Sequence, residues 1–212
     1  MRTRLFENLE KVASSNLGDA QVLVDIPIGF QEGARRQCDS AARDLLGSRG
    51  NSVFFPPCRT AVECDDYETA NEARYDQIGH GLSMQAYSIG DKILDVNEIV
   101  GWEYDGSIRE SYPELCFAAL NGQPIAYSKS SQRGQRFRMH LLSDELDIPR
   151  VQYKEACREH LRKDVRRNDI LDSMVLAAAG RKELTAVPAE PASDVPRVYY
   201  PGFEIEAEIW EE

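Results

Sequence analysis

Apolar positions along the chain recur with two periods, and the places where one period yields to the other divide it into helices and short strands. Leu5, Phe6, Leu9, Val12 and Ala13 repeat at helical spacing over residues 4–16, with Asn16 and Gly18 as a stop. The run Val22-Leu23-Val24-Asp25-Ile26-Pro27-Ile28-Gly29 reads instead as a strand buried on both faces and ending in a sharp turn. Residues 35–46 predict a second helix on which Arg35, Asp39 and Arg43 form a solvated ladder, closed by Gly47. A short strand at 52–55, stopped by Pro56-Pro57, and a polar helix over 60–78 follow. Residues 83–99 carry Ala86, Ile89, Ile93, Val96 and Ile99 on one helical stripe, with Ser83 as N-cap.

The second half is patterned more clearly. Ile108-Arg109-Glu110-Ser111-Tyr112 alternates like a strand, Pro113 takes the first helical position, and Asn121-Gly122 closes the helix it opens. A polar loop over 128–134 leads into a short helix with Arg136, Arg138, Leu141 and Leu142, and another helix is expected over 151–161. After a basic link at 163–167, Asn168 caps a helix running to Gly180, on which Asp169 and Asp172 share one face. Pro188, Pro191 and Pro196 mark 184–197 as a loop or tether. The segment 198–212 alternates Phe203, Ile205, Ala207 and Ile209 against Glu204, Glu206 and Glu208, as a half-buried strand with an acidic outer face does. The fold class expected is therefore α/β, in one domain spanning 1–212.

Composition narrows the setting. The chain has 212 residues, enough for one core, and no apolar run approaches the roughly 20 residues of a membrane span. Its start lacks the apolar stretch of a secretory signal, so a cytoplasmic location is expected. Cys38, Cys58, Cys64, Cys116 and Cys157 are widely spaced and read as reduced thiols rather than zinc ligands or a disulfide framework. Net charge is −11, with few lysines among the basic residues, a balance suited to a halophilic source and contrary to the basic footprint of a sequence-reading DNA-binding module.

Acids gather at the ends of ordered elements: Asp25, the pair Glu110 and Glu114, and the pair Asp169 and Asp172. Each has a plain structural reading. Asp25 can cap its own turn, Glu110 can face solvent, and an acid in a first helical turn gains about 0.3–1 kcal/mol from the helix dipole. The functional reading is convergence around Mg²⁺ or Mn²⁺, held by one or two carboxylates with waters and substrate phosphates completing the shell. Other chemistries lack their motifs. His80 and Ser83 stand without a nucleophile elbow, and neither a P-loop nor a GxGxxG turn is present.

Taken together these segments resemble a known family. Asp25-Ile-Pro-Ile-Gly29, then Arg36 and Asp39 with Ala42-Arg43 ahead of Leu46-Gly47, then Ser52-Val-Phe-Phe-Pro-Pro57 run in its order. Gly81-Leu82-Ser83 with Gln85-Ala86, Glu110-Ser-Tyr-Pro-Glu114-Leu-Cys-Phe117, Leu120-Asn121-Gly122, Ser128-Lys129 and Asn168-Asp169-Ile-Leu-Asp172 with Ala177 continue the match, from about residue 20 to 180. The chain thereby resembles the predicted RNase H-like nucleases of domain of unknown function 429. The resemblance implies a mixed sheet flanked by helices and a metal-dependent phosphodiesterase acting on nucleic acid. It places the metal site at Asp25, Glu110 or Glu114, and Asp169 or Asp172, with Arg43 and Lys129 facing the same crevice to bind substrate.

One departure stands out. RNase H-like sheets begin with a hairpin whose strand carries the leading aspartate, whereas this chain opens on a helix, so the first hairpin is expected to be missing or replaced, for instance by residues 198–210. A site left incomplete would make the chain a non-catalytic binding or assembly module, with a second copy completing the sheet by strand pairing. Arg158, Arg162, Lys163, Arg166 and Arg167 form one local basic patch that serves either nucleic-acid contact or a solvated helix face.

Overall fold

A computed structural model describes residues 4–6, 8–13, 20–100, 107–189 and 196–202. In chain order its elements are α1 (Leu9–Ala13), β1 (Val22–Val24), α2 (Gln37–Leu46), α3 (Arg59–Val62), α4 (Tyr67–Ile78), α5 (Met84–Tyr87), α6 (Gly90–Val100), β2 (Ile108–Glu110), α7 (Pro113–Asn121), α8 (Gln132–Glu145), α9 (Pro149–Glu159), α10 (Arg167–Ala179), β3 (Leu184–Val187) and β4 (Val198–Pro201). The chain is mixed α/β, mostly helical, and among the described residues its strands make two small ladders. β1 pairs parallel to β2, with Val22, Leu23 and Val24 opposite Ile108, Arg109 and Glu110. β3 pairs antiparallel to β4, which lies beside β2 and α7.

Period two sorts the faces of the parallel pair. Val22, Val24 and Ile108 pack with Val96, Ile99 and Ile28 on the α6 side. Leu23 points the other way, into the main core built on α2, α7, α8, α9 and α10. The alternation carries Asp25 to that same side, one residue past the strand.

α7 and α10 are the inner helices. α7 begins on Pro113, where a missing N–H costs nothing, and stops at Gly122, whose φ of 76° is left-handed. Its residues Pro113–Ala119 are all buried, which explains why its apolar positions show little sidedness. α10 buries Ile170, Leu171, Met174, Val175 and Ala178 against it. A smaller cluster of Cys58, Ala61, Ala70, Leu82 and Ala86 holds α3, α4 and α5 together.

Several expectations are corrected. The helix expected over 60–78 is two helices, because the Asp66 carboxylate accepts from Thr69 N–H and starts α4 afresh. The stripe over 83–99 likewise divides into α5, capped by Ser83 as expected, and α6. Residues 52–55 form no strand: Gly47–Ser52 is a 3₁₀ turn, and beyond it Val53 packs into the main core while Phe54 turns to the smaller cluster. Asp39 is no part of a solvated ladder but is fully buried. α10 starts two residues early, on Arg167, because Asp169 reaches back to accept from Arg166 N–H; Asn168 instead accepts from Gln135 Nε2. The supposed tether begins as β3. Residues 1–3, 14–19 and 203–212, including the alternating acidic tail, lie outside the described residues. Among the described residues no helix is long and apolar enough to cross a membrane.

Candidate functional site

The carboxyl ends of β1 and β2 lie side by side, and the turn after β1 is fastened at several points. Gly29, at φ 84°, donates its N–H to Asn97 Oδ1 at 2.6 Å, while Asn97 Nδ2 donates to Pro27 O. Ile28 N–H donates to Glu110 Oε2 at 2.6 Å. Arg36 completes the clamp by donating to Ile28 O, Gly29 O and both Glu110 oxygens, the shortest contact being 2.5 Å to Oε1. Asp39 takes three further bonds from Arg36 and one from Tyr112 Oη at 2.5 Å. Burial opposes the charge on Arg36, but Glu110 and Asp39 overcome it and hold its pKa above the usual guanidinium value. A buried arginine with two carboxylates is therefore the anchor of the Asp25 turn.

Opposite this turn stand the starts of α7 and α10. Glu114, in the first turn of α7, accepts from Arg138 Nη2 at 2.8 and 2.7 Å, and both residues are buried. Arg138 Nη1 donates to Tyr127 O and Gly134 O, tying α8 to the loop that precedes it. Ser131 caps α8 by accepting from Gly134 N–H while its own hydroxyl donates to Ser128 O. Gly134 is required there, since a Cβ would stand 2.0 Å from Ser128 O. These contacts fix the backbone on either side of Lys129.

Lys129 reaches Asp172, one turn into α10, donating from Nζ to Oδ2 at 3.1 Å. Asp172 is buried, and its Oδ1 has no hydrogen-bond partner. Asp169, a turn earlier, is exposed. Asp25 touches water, yet protein crowds it on the remaining sides, and that burial is the largest of the effects pushing its pKa up to about 7. Repulsion from Asp172 comes next; Lys129 opposes it, and Glu110 and Asp169 add to it. Burial also raises Asp172, with Lys129 pulling it down and Glu114 and Asp169 pushing it up. On Lys129 burial acts against the charge, but Asp172 outweighs it, helped by Glu114 and Asp25, so its pKa lies above the usual value.

The five acids singled out by sequence thus surround one region, but in different states. Asp25, Asp169 and Asp172 are near enough for the charge of each to bear on the cluster, and Lys129 bonds Asp172. Glu110 and Glu114 each have both oxygens taken by hydrogen bonds, Glu110 from Arg36 and the Ile28 N–H and Glu114 from Arg138, so neither is free to bind an ion. Arg43 is engaged elsewhere, its guanidinium 4.5 Å from the Phe55 ring centroid and bonded to Asn51. Asn97 is not singled out by the sequence, and Arg138 reads there only as a helix residue. Each had a signal: Asn97 sits beside Ile93 and Val96 on an apolar stripe, and Arg138 lies four residues before the buried Leu142.

As a donor set, Asp25 and Asp172 suit a hard divalent ion such as Mg²⁺ or Mn²⁺. Both are carboxylates, one oxygen is buried without a partner, and a cation would relieve their mutual repulsion. Among the described residues no group of three or more His, Cys, Asp or Glu could hold a metal ion. Two carboxylates completed by water and substrate oxygens is the shell Mg²⁺ usually accepts.

Residues 1–193 match a family described only as "Protein of unknown function (DUF429)". No curated protein and no solved structure matches the chain.

Proposed function

We propose that this chain, which belongs to the DUF429 family, is a divalent-cation-dependent phosphodiesterase that hydrolyses nucleic acid at Asp25 and Asp172. The observation that carries the reading is the pair itself. Two carboxylates from separate elements repel each other, and one keeps a buried oxygen without a partner. On this reading the fold would be RNase H-like, with the parallel pair β1 and β2 at its centre and the β3–β4 ladder, whose β4 lies beside β2, in place of the first hairpin.

Each residue has a task that follows from its surroundings. Asp25 and Asp172 would hold Mg²⁺ or Mn²⁺, which when bound polarises a phosphoryl oxygen and lowers the pKa of a coordinated water. The Arg36 clamp fixes the turn that carries Asp25, and the packing of α10 against α7 fixes Asp172. Lys129 supplies a positive charge for a phosphate oxygen of the substrate. Asp169, open to solvent, orients water through the oxygen not used in capping Arg166.

Labelled single- and double-stranded DNA and RNA oligonucleotides, incubated with Mn²⁺ or Mg²⁺, test the reading. Cleavage by the wild type, abolished by chelator and reduced by about 100-fold or more in Asp172→Asn, is expected. Cleavage that survives in Asp172→Asn, or no cleavage of any substrate with either ion, overturns it.

A second reading has one observation in its favour: among the described residues every strand pairs on one side only. On that reading the chain is a non-catalytic assembly module in which a second copy adds a strand. Concentration-dependent dimers without any cleavage would favour it.

A further inference from the structure

Three acids of this region are paired with a basic residue, and the three pairs differ in kind. Glu110 is held by Arg36 and Glu114 by Arg138. Both arginines are buried and donate to several acceptors at once, so each is locked in place. Asp172 is held by Lys129, through one hydrogen bond to one oxygen. The Lys129 side chain is 43% exposed, and its ammonium ends a flexible four-carbon stem. Two of the basic partners are framework, and the third can leave.

Resting on the metal-dependent reading above, we infer that Lys129 is a built-in counter-ion that a divalent cation must displace from Asp172, and that the displaced ammonium then engages the phosphate of the incoming strand. Charge leaves little room for both cations. An ion seated on the partnerless Oδ1, at the roughly 2.0–2.1 Å that Mg²⁺ takes from a carboxylate oxygen, would share that carboxylate with the ammonium on Oδ2, and the two cations would repel each other. Only the side chain has to move, because Ser131, Gly134 and Arg138 hold the backbone of the loop. The Lys129 side chain already reaches solvent, the side from which a polyanion would arrive. The exchange leaves the cluster of acids less negative, since the ion brings two positive charges where Lys129 takes one away. It also links ion binding to substrate binding, since each releases the partner the other needs.

Calorimetric titration of Mn²⁺ into the full chain, without nucleic acid, separates the possibilities. Lys129→Met removes the charge at a half-exposed position and is expected to tighten Mn²⁺ binding by about fivefold or more. Lys129→Arg keeps the charge and is expected to bind no more tightly than wild type, whereas Asp25→Asn binds more weakly. With Mn²⁺ bound, Lys129→Met is expected to bind a single-stranded oligonucleotide about fivefold or more weakly than wild type. Unchanged or weaker Mn²⁺ affinity in Lys129→Met overturns the inference. If Asp25→Asn loses the ion while Lys129→Met gains nothing, the metal reading stands and the displacement falls. If no variant nor the wild type binds Mn²⁺, both fall together.

Discussion

Glu110 and Asp25 leave the ends of neighbouring parallel strands, two residue types of the same chemistry a short distance apart, and the fold treats them in opposite ways. Glu110 is almost completely buried, yet its charge is met by the two Arg36 nitrogens and a backbone N–H. Asp25 is the more exposed of the two, but its neighbours are mainly other acids. Exposure alone would assign the roles backwards. What distinguishes the two is how the local charge is met: Arg36 makes Glu110 a strut, whereas Asp172 has one hydrogen bond from the half-exposed Lys129 and Asp25 is crowded mainly by other acids.

The largest effect should come from breaking the balanced region. Arg36→Met leaves Glu110 and Asp39 buried without their cation, and is expected to destabilise the chain by about 3–5 kcal/mol or more in urea unfolding. A loss below about 1 kcal/mol would show that the cluster does not anchor the fold. Glu114→Gln is next, because it strands Arg138; a loss of about 3 kcal/mol is expected. Its sharper readout is Mn²⁺ affinity, expected to stay within about threefold of wild type, since Glu114 is not free to act as a ligand. A complete loss of binding would return Glu114 to the ion's shell.

Asp25 should behave in the opposite sense. Its folded pKa of about 7 lies above the ordinary 3.8, so the folded chain holds the proton more tightly than the unfolded one. That contribution to stability is present below the ordinary carboxylate range and is lost as pH rises through about 7. In divalent-free buffer the stability of Asp25→Asn relative to wild type is therefore expected to climb from pH 4 to pH 7 and level off above. A pH-independent difference would mean that Asp25 is not crowded by like charge. The smallest effect concerns the acidic surface. Multimolar KCl should raise the melting temperature by about 2–4 °C, about 1 kcal/mol for a chain of this size. Equal melting at low and high salt would remove the halophilic expectation.

Much of this framework is legible in the residues because its signals are local. Pro113 and Gly122 mark the ends of α7, Ser83 marks the start of α5, and the three-residue spacing of Asp169 and Asp172 sets them on one side of α10. Legibility stops where the decisive partner is remote. Arg36 meets Glu110 across 74 residues and Arg138 meets Glu114 across 24, so nothing near either glutamate in sequence shows that it is neutralised. The same limit made Asp39 look like a surface rung, although the arginine that buries it is only three residues away, because the third member, Tyr112, is far along the chain. β3 was hidden for another reason: Pro188 and the prolines after it suggest a loop, while the preceding Leu184–Val187 pairs with a strand beyond them.

Counting bound Mn²⁺ by electron paramagnetic resonance tests the central claim most directly. The account predicts that the wild-type chain takes up the ion, that Asp25→Asn and Asp172→Asn each lose it, and that Glu114→Gln retains it. Mn²⁺ held equally well by Asp172→Asn and wild type would contradict the claim that these two carboxylates form the site.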